Sequence, residues 1–383
     1  MVRRVVASLG MSAVLATVVS LPISGQGASV PPPLVITAYN GGAPIPYTVP
    51  RTPWGDPDLQ GVWSSDDTEG IPRERPATFG TRLYQNDQEF AARAKQIAGN
   101  VVTRENNATS TFRNDFARRA FRQTSIIVDP PDGRMPAVTP AAEKRRASRD
   151  RGTFGDGPFN TTEDFTLYDR CITRGVVGSV LRVIYGNGNR IVQGPGMVAI
   201  TYEMIHDTRV LYTDGRPHIG QGIRQYLGDS RARWQGDELV VETTNLTDRT
   251  SIGGNGNGLR HSAQMTIVER FKRVAEDVIQ YQFTIDDPAT YVRPFTMSFP
   301  LTPLDGGVIL PYECHEGNQA IRNSLSAERA EDRALAADLE KGIIRVRRPV
   351  QEAAGGGGGR GRRGGGAGAA PAGGRGADPE DAN

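Results

Sequence analysis

Four histidines occur among the 383 residues of this sequence, and His206 is the one whose neighbours point to chemistry. It follows a run in which Val198, Ile200, Tyr202 and Met204 recur at every second position. In a β-strand these residues would share one face, so the pattern predicts an apolar stripe that ends in an imidazole. Such an imidazole could bind a ligand or transfer protons in a cavity, or it could be a hydrogen-bonded core residue without a chemical role.

Glu269 places a carboxylate within a second apolar stripe of alternating residues. The next run of the chain has the same period, and an odd-numbered turn would pair Glu269 with Phe283. The same register pairs Phe271 with Tyr281. A carboxylate buried among such side chains needs a cationic partner or a raised pKa, and either condition makes it a candidate site residue. A structural ion pair with an arginine such as Arg293 is the alternative.

Three functions are compatible with these residues. The first is binding of a small, partly apolar ligand in a barrel cavity, with the ligand-binding side chains Tyr202, Met204, Tyr281 and Phe283. The second is a lyase, isomerase or hydrolase without a cofactor, in which His206 is the general acid or base and Glu269 or Asp287 is its complementary or orienting acid. The third is a cell-surface interaction module that uses residues 253–258 or the proline-rich arm.

No metal or cofactor is expected from the spacing of the candidate ligands. Cys314 and His315 are adjacent and would face opposite sides of a strand, and the sequence has no His-x-His, His-Glu-x-x-His or Cys-x-x-Cys spacing. A hairpin would place His218 opposite Leu211, too far along the strand from His206 for a shared metal ion. The sequence also has no Gly-x-Ser-x-Gly elbow and no glycine loop of the phosphate-binding type.

Residues 1–27 are typical of a secretory signal peptide, because two arginines precede an apolar run that ends in small residues. We therefore expect an exported protein, periplasmic or extracellular, without an integral membrane segment after signal removal. The sequence has 45 basic and 43 acidic residues, and the signal contains two arginines and no acid, which leaves 43 of each. This balance excludes the net positive charge that is typical of nucleic-acid-binding proteins. The oligomeric state stays open.

The sequence has two cysteines, Cys171 and Cys314. In the oxidising compartment that the signal indicates, a disulfide between them is expected. A loop of this length contributes roughly 4–5 kcal/mol in the chain-entropy model. Two separate buried thiols are the alternative.

The remaining chain divides into four segments. Residues 28–164 form an extended proline-rich arm with helices predicted at 89–97, 112–123 and 139–149. Residues 165–323 have an apolar period of two with turn residues between the runs, which predicts an antiparallel, lipocalin-like β-barrel, with a β-sandwich as the alternative. Residues 324–345 form a C-terminal helix, and residues 346–383, rich in Gly, Arg and Ala, form a disordered tail.

The strands of the barrel are predicted from the same alternation of apolar and polar residues. They lie at 179–185, 189–193, 197–213, 222–227, 238–246, 263–273, 278–287, 293–301 and 308–314. Residues 125–133 are predicted to form a short additional strand followed by a turn.

Five motifs resemble those of a family of exported bacterial proteins without an established activity. They are TPWGDPDLQGVW at 52–63, VDPPDG at 128–133, DGRPH at 214–218, WQGDELVV at 234–241 and CHEG at 314–317. This resemblance implies export and a shared β-rich fold, and it implies no catalytic residue. Gly61-Val-Trp63 also resembles the Gly-x-Trp at the start of lipocalin-type barrels, in which the tryptophan closes one barrel end.

Overall fold

A computed structural model describes residues 32–38, 46–105, 116–149, 159–253 and 259–345 of the chain. The strands are β1 (Gly61–Ser64), β2 (Ile127–Asp129), β3 (Gly188–Gly194), β4 (Met197–Tyr202), β5 (Thr208–Tyr212), β6 (Asp229–Gln235), β7 (Glu238–Thr244), β8 (Thr266–Ala275), β9 (Val278–Asp286) and β10 (Phe295–Pro303). The helices are α1 (Asp87–Glu105), α2 (Pro140–Arg149) and α3 (Ala320–Glu340).

The strands form a closed barrel, which confirms the predicted fold class. In the described part of the chain, nine strands follow one another in the order β1, β3, β4, β5, β6, β7, β8, β9 and β10, and β1 pairs with β10 to close the ring. The tenth strand, β2, pairs antiparallel with β10 at Thr296 and Met297. The barrel is mixed rather than wholly antiparallel, because β5 and β6 run parallel where Tyr212 pairs with Arg231.

The hairpin of β8 and β9 has the predicted register. Phe271 pairs with Tyr281 and Glu269 pairs with Phe283, so the apolar stripes of both strands lie on one side of the sheet. The rings of Phe271 and Tyr281 are 4.7 Å apart between centroids, and Phe299 of β10 meets Tyr281 edge-on at 5.3 Å. These aromatic contacts form the centre of the hydrophobic core inside the barrel.

The outer face of β9 and β10 is polar but buried, because the N-terminal arm lies on it. Oε1 of Gln280 accepts hydrogen bonds from the backbone nitrogens of Thr37, at 2.9 Å, and Ala38, at 3.1 Å. Oε1 of Gln282 accepts one from the nitrogen of Val35 at 2.8 Å. An extended, proline-rich segment cannot satisfy its own backbone groups, so these glutamine side chains take the place of a neighbouring strand.

Trp63 joins the arm to the barrel at the closing strand. Its ring is buried, its Nε1 donates to the carbonyl of Leu59 at 3.0 Å, and the guanidinium of Arg273 lies 5.5 Å from its centroid. Because β1 belongs to the ring, the barrel includes residues that the sequence assigned to the arm.

Two predicted strands and parts of others are absent. In these places apolar and polar residues alternate, but the backbone does not form a strand. Residues 179–185 and 308–314 form turns and irregular segments, and 222–227 contributes a single bridge from Gln225 to Leu246. The run at 197–213 is divided by a turn between β4 and β5. The prediction missed β6 because its inward residues include Ser230, whose polarity hides the period.

The helices agree in position and differ in length from the predictions. The capping pair is formed at the start of α1, where Asn86 and Glu89 exchange hydrogen bonds of 2.9 Å, but the helix continues past Gly99. Residues 116–123 are not helical. The helix α3 begins before the predicted residue 324, and Arg329 ties it to Asn160.

The signal peptide, residues 254–258 and the tail at 346–383 lie outside the described residues. Among the described residues, no helix combines the length and the apolar character that crossing a lipid bilayer requires.

Candidate functional site

The barrel interior contains an ion pair between Glu269 of β8 and Arg209 of β5. The two guanidinium nitrogens of Arg209 lie 3.1 and 2.6 Å from the two carboxylate oxygens, a bidentate arrangement. The Arg209 side chain is 2 % exposed and that of Glu269 is fully buried. Glu269 therefore has the cationic partner that a buried carboxylate needs, but the partner is Arg209 rather than Arg293, which is half-exposed and faces Asp129.

Hydroxyl groups add further hydrogen bonds to this pair, although the buried Nε of Arg209 has no hydrogen-bond partner among the described residues. The phenol of Tyr281 donates to Glu269 at 2.9 Å, and Arg209 donates to the phenol oxygen of Tyr202 at 3.0 Å. The second guanidinium nitrogen also reaches Ser230 at 3.0 Å and Thr243 at 3.2 Å. We call these six residues the interior network. They come from β4, β5, β6, β7, β8 and β9, so the network links two thirds of the ring.

The electrostatics of the interior network hold its groups in fixed protonation states. Burial raises the pKa of Tyr202 to about 12 and raises the pKa of Tyr281 well above its usual value. Burial alone would disfavour the guanidinium cation, but the charge of Glu269 beside it raises the pKa of Arg209. Neutral phenols and a charged arginine do not exchange protons near neutral pH. The network is thus suited to holding the barrel together and not to acid–base catalysis.

The structure does not bring His206 to this network, and the predicted pairing of His206 with Glu269 is wrong. The strand β4 ends at Tyr202, and a turn with left-handed backbone at Ile205, φ 66°, and His206, φ 50°, leaves the imidazole exposed. The adjacent Met204 lies in a separate small cluster with Val183. The apolar stripe in the sequence predicted a strand that continues through His206, but the backbone turns away from the barrel after Tyr202.

Of the predicted ligand-binding residues, Tyr202, Tyr281 and Phe283 lie together inside the barrel. All three are buried, and the rings of Tyr281 and Phe283 are 5.8 Å apart. The hydroxyls of Tyr202 and Tyr281 belong to the interior network. Met204, the fourth, is outside this group.

Cys171 and Cys314 form a disulfide, as predicted, with their Cα atoms 5.7 Å apart. The bond fastens the segment after residue 314 to the loop that precedes β3. Thr173 and Arg174 lie two and three residues after Cys171, and both are buried. The disulfide therefore fixes the position of a polar loop at the end of the barrel.

This loop forms one wall of a small recess of about 180 Å³, including the part open to solvent. The recess is lined by Leu167, Tyr168, Thr173, Arg174, Arg249, Thr250 and Ser251. The lining includes two arginines and four hydroxyl-bearing residues and no carboxylate, but Arg249 pairs with Glu163 and Thr173 is bonded to Asp207, neither of which is a lining residue. Burial lowers the pKa of Arg174 to about 10, and the nearby Tyr168 and Tyr312 offset this only in part.

A chain of hydrogen bonds runs from Thr250, on the recess wall, to Asp287. The hydroxyl of Thr250 is bonded to Nε2 of His261, and Nδ1 of His261 lies 2.9 Å from the carbonyl oxygen of Ser262. The Asp287 carboxylate accepts from the nitrogen of Ser262 at 2.7 Å and from its hydroxyl at 2.6 Å. Asp287 is buried and its carboxylate orients the loop of His261, and no hydrogen bond among the described residues joins it to His206 or Glu269. The antiparallel bridge between Ser251 and Arg260 aligns the segment that contains Thr250 with the segment that contains His261.

The protonation of His261 should make stability depend on pH. Burial lowers the pKa of this histidine from 6.5, against smaller opposing effects of Ser262, Asp287 and Asp248. Above pH 6.5 the imidazole is neutral in both the folded and unfolded chain. Below that pH the unfolded chain binds the proton first, so the free energy of unfolding falls, by at most about 1.4 kcal/mol per pH unit from this group.

We expect His261→Phe to remove this contribution to the pH dependence of the free energy of unfolding between pH 6.5 and pH 5. Urea denaturation at each pH measures that dependence. Replacing the exposed His206 with Phe is the control, and it should leave the slope unchanged. An identical slope in wild type and in the His261 variant would contradict the assignment.

Among the described residues, no group of three or more histidine, cysteine, aspartate or glutamate side chains is arranged to hold a metal ion. A scan against protein-family models finds no match to this chain, and searches of curated proteins and of solved structures find none either.

Proposed function

We propose that the protein binds a small anionic, partly apolar molecule in the recess beside the disulfide. The observation that supports this most directly is the lining, which includes two arginines and four hydroxyl-bearing residues and no carboxylate, although Arg249 is paired with Glu163 beside it. Arginine is well suited to carboxylate and phosphate groups. The enclosed part of the recess has room for about one water molecule, so only the acidic group of the ligand enters it and the rest of the molecule stays outside.

This proposal moves the ligand from the barrel interior to the barrel end. In the interior, the charged groups of Arg209 and Glu269 bond to each other and to the neighbouring hydroxyls. A ligand there would have to replace these internal bonds. In the recess, Leu167 supplies an apolar contact while Tyr168 and Thr250 supply hydroxyls.

Benzoate should bind with a dissociation constant on the order of millimolar, because a ligand of this size makes few contacts. Benzamide, its neutral isostere, should bind at least about tenfold more weakly, since it lacks the charge that a guanidinium recognises. Isothermal titration with both compounds, and with inorganic phosphate, measures this difference.

Arg249→Gln should weaken benzoate binding by about tenfold. The matched control is Arg216→Gln, because each arginine is about half exposed and each is paired with one acid, Glu163 or Asp214. Arg174→Met tests the buried cation in the same titration. Equal binding of benzoate and benzamide, or equal effects of the Arg249 and Arg216 variants, would show that the recess is not an anion site.

We also infer that the protein is exported. The disulfide between Cys171 and Cys314 supports an oxidising compartment, since such bonds are rare in reducing ones. Detection of the oxidised protein in the periplasmic or extracellular fraction tests this inference, and a protein found reduced inside the cell contradicts it.

A further inference from the structure

We propose that Tyr185 and Tyr312 form a site of oxidative modification, at which a one-electron oxidant joins the two rings as a dityrosine cross-link. The ring centroids are 6.4 Å apart, and the ring planes differ by 27°. Both rings are partly buried against the small cluster that contains Met204, which is separate from the core inside the barrel. The inference goes beyond the proposed function and does not depend on it, because the modification requires no ligand.

Hydrogen bonds connect three phenols at this site. The hydroxyl of Tyr312 is bonded to the hydroxyls of Tyr185 and Tyr168. Burial raises the pKa of Tyr312 and the pKa of Tyr168, so both phenols are protonated at neutral pH. When two phenol oxygens are in hydrogen-bond contact, the ring carbons ortho to them are only two bonds further away. These ortho carbons are the atoms that become bonded in dityrosine.

The loop that carries Tyr185 is fixed on both sides of this residue. The side chain of Asn187 accepts from the backbone nitrogen of Val183 at 2.8 Å and donates to its carbonyl oxygen at 3.0 Å. Gly186 has a φ of 70°, and a Cβ there would lie 3.2 Å from Cε of Met204. Glycine therefore allows the loop to lie against the cluster, and the phenol is positioned before any oxidation.

The segment that carries Tyr312 is fixed two residues away on each side. The backbone nitrogen of Leu310 donates to Oε1 of the buried Glu203 at 3.1 Å, and Cys314 forms the disulfide with Cys171. Two phenols that separate anchors hold in contact have a far higher effective concentration for each other than for a phenol of another molecule. Coupling within one chain is therefore faster than coupling between chains in dilute solution.

The coupling consumes two equivalents of a one-electron oxidant, for example a peroxidase acting with hydrogen peroxide. Each phenol gives one electron to the oxidant and its hydroxyl proton to water. The two phenoxyl radicals have unpaired spin at their ortho carbons, and a carbon–carbon bond forms between one ortho carbon of Tyr185 and one of Tyr312. The hydrogen on each coupled carbon then moves to the phenol oxygen, which restores both aromatic rings and both hydroxyls.

The cross-link would fasten the same segment as the disulfide, two residues closer to β10. Cys314 is joined to Cys171, and Tyr312 would be joined to the loop that precedes β3. Thiols open a disulfide, but they do not cleave a carbon–carbon bond. The oxidised protein therefore keeps this segment attached to the barrel even where the disulfide is reduced.

The test is oxidation of the dilute full-length protein by tris(bipyridyl)ruthenium(III), generated from persulfate by light. We expect dityrosine fluorescence in the monomeric product and, after reduction and proteolysis, a peptide pair joined through residues 185 and 312, identified by mass spectrometry. Tyr185→Phe and Tyr312→Phe should each lower the dityrosine yield of the monomer by about tenfold. Tyr212→Phe is the matched control and should leave the yield unchanged, because the partly buried ring of Tyr212 lies against the guanidinium of Arg216 at 4.0 Å.

A cross-link between Tyr168 and Tyr312, or an unchanged yield in the Tyr185→Phe variant, would overturn the inference. Oxidation of the exposed Trp54 shows that the oxidant has reacted with the protein, so a monomer with oxidised Trp54 and no dityrosine would overturn it as well. If Tyr312→Phe does not fold, the cross-link mapped in the wild type and the yield of Tyr185→Phe decide the question. Benzoate binding is measured separately, and its absence would remove the proposed function without affecting this inference.

Discussion

Glu269→Leu should lower the free energy of unfolding by about 3–5 kcal/mol, because it leaves the guanidinium of Arg209 charged and buried without its anion. The interior network offers Arg209 only neutral hydroxyls as other partners, which cannot replace a carboxylate. Chemical denaturation of the variant and the wild type measures the difference. The bidentate geometry of the pair with Arg209 is the reason for the large expected loss.

The double variant Arg209→Met with Glu269→Leu should be more stable than either single variant, since no charge then stays buried alone. Glu238→Leu is the control, because it breaks a partly exposed pair with Arg270 on the same sheet and should cost about 1 kcal/mol or less. Additive single effects in the double variant would show that the two interior charges do not depend on each other.

Reduction of the disulfide should lower the free energy of unfolding by about 4–5 kcal/mol in the chain-entropy model. The bond joins residues 143 positions apart, so the reduced unfolded chain gains many conformations that the oxidised chain lacks. Denaturation curves of the oxidised protein and of the reduced, alkylated protein measure the change.

The reduced protein should also bind benzoate more weakly, because Thr173 and Arg174, which line the recess, lie two and three residues after Cys171. If reduction changes the free energy of unfolding by less than about 1 kcal/mol, the two ends of the loop stay close together without the disulfide. Unchanged benzoate binding after reduction would show that the recess does not depend on the disulfide.

The parts of the fold that could be predicted from the sequence depend on local periodicity. The β8 and β9 register follows from two stripes of alternating residues and the turn between them, so Glu269 and Tyr281 were placed on one face correctly. The capping pair of Asn86 and Glu89 is equally local. In these cases neighbouring residues specify the structure without reference to the rest of the chain.

The parts that could not be predicted depend on residues distant in the chain. In β5, Arg209 points inward while Val210 is exposed, so an alternation based on hydrophobicity assigns this strand the wrong face. Only the requirement of Glu269 for a cation could have indicated Arg209. The recess is assembled from loops near residues 170 and 250, and no spacing along the sequence relates Arg174 to Thr250.

The closing strands impose an order on folding. Trp63 pairs with Pro303, and the backbone of Thr37 bonds to a glutamine 243 residues away. A chain made from its N-terminus can pair β1 with β3, but β1 has no partner on its other side, and the arm has no glutamine to bind, until β9 and β10 have been synthesised. Contacts so far apart in sequence also slow folding, because much chain must be ordered before they form. The ring therefore closes late, after most of the polypeptide has been synthesised, and the arm has no barrel surface to bind until then.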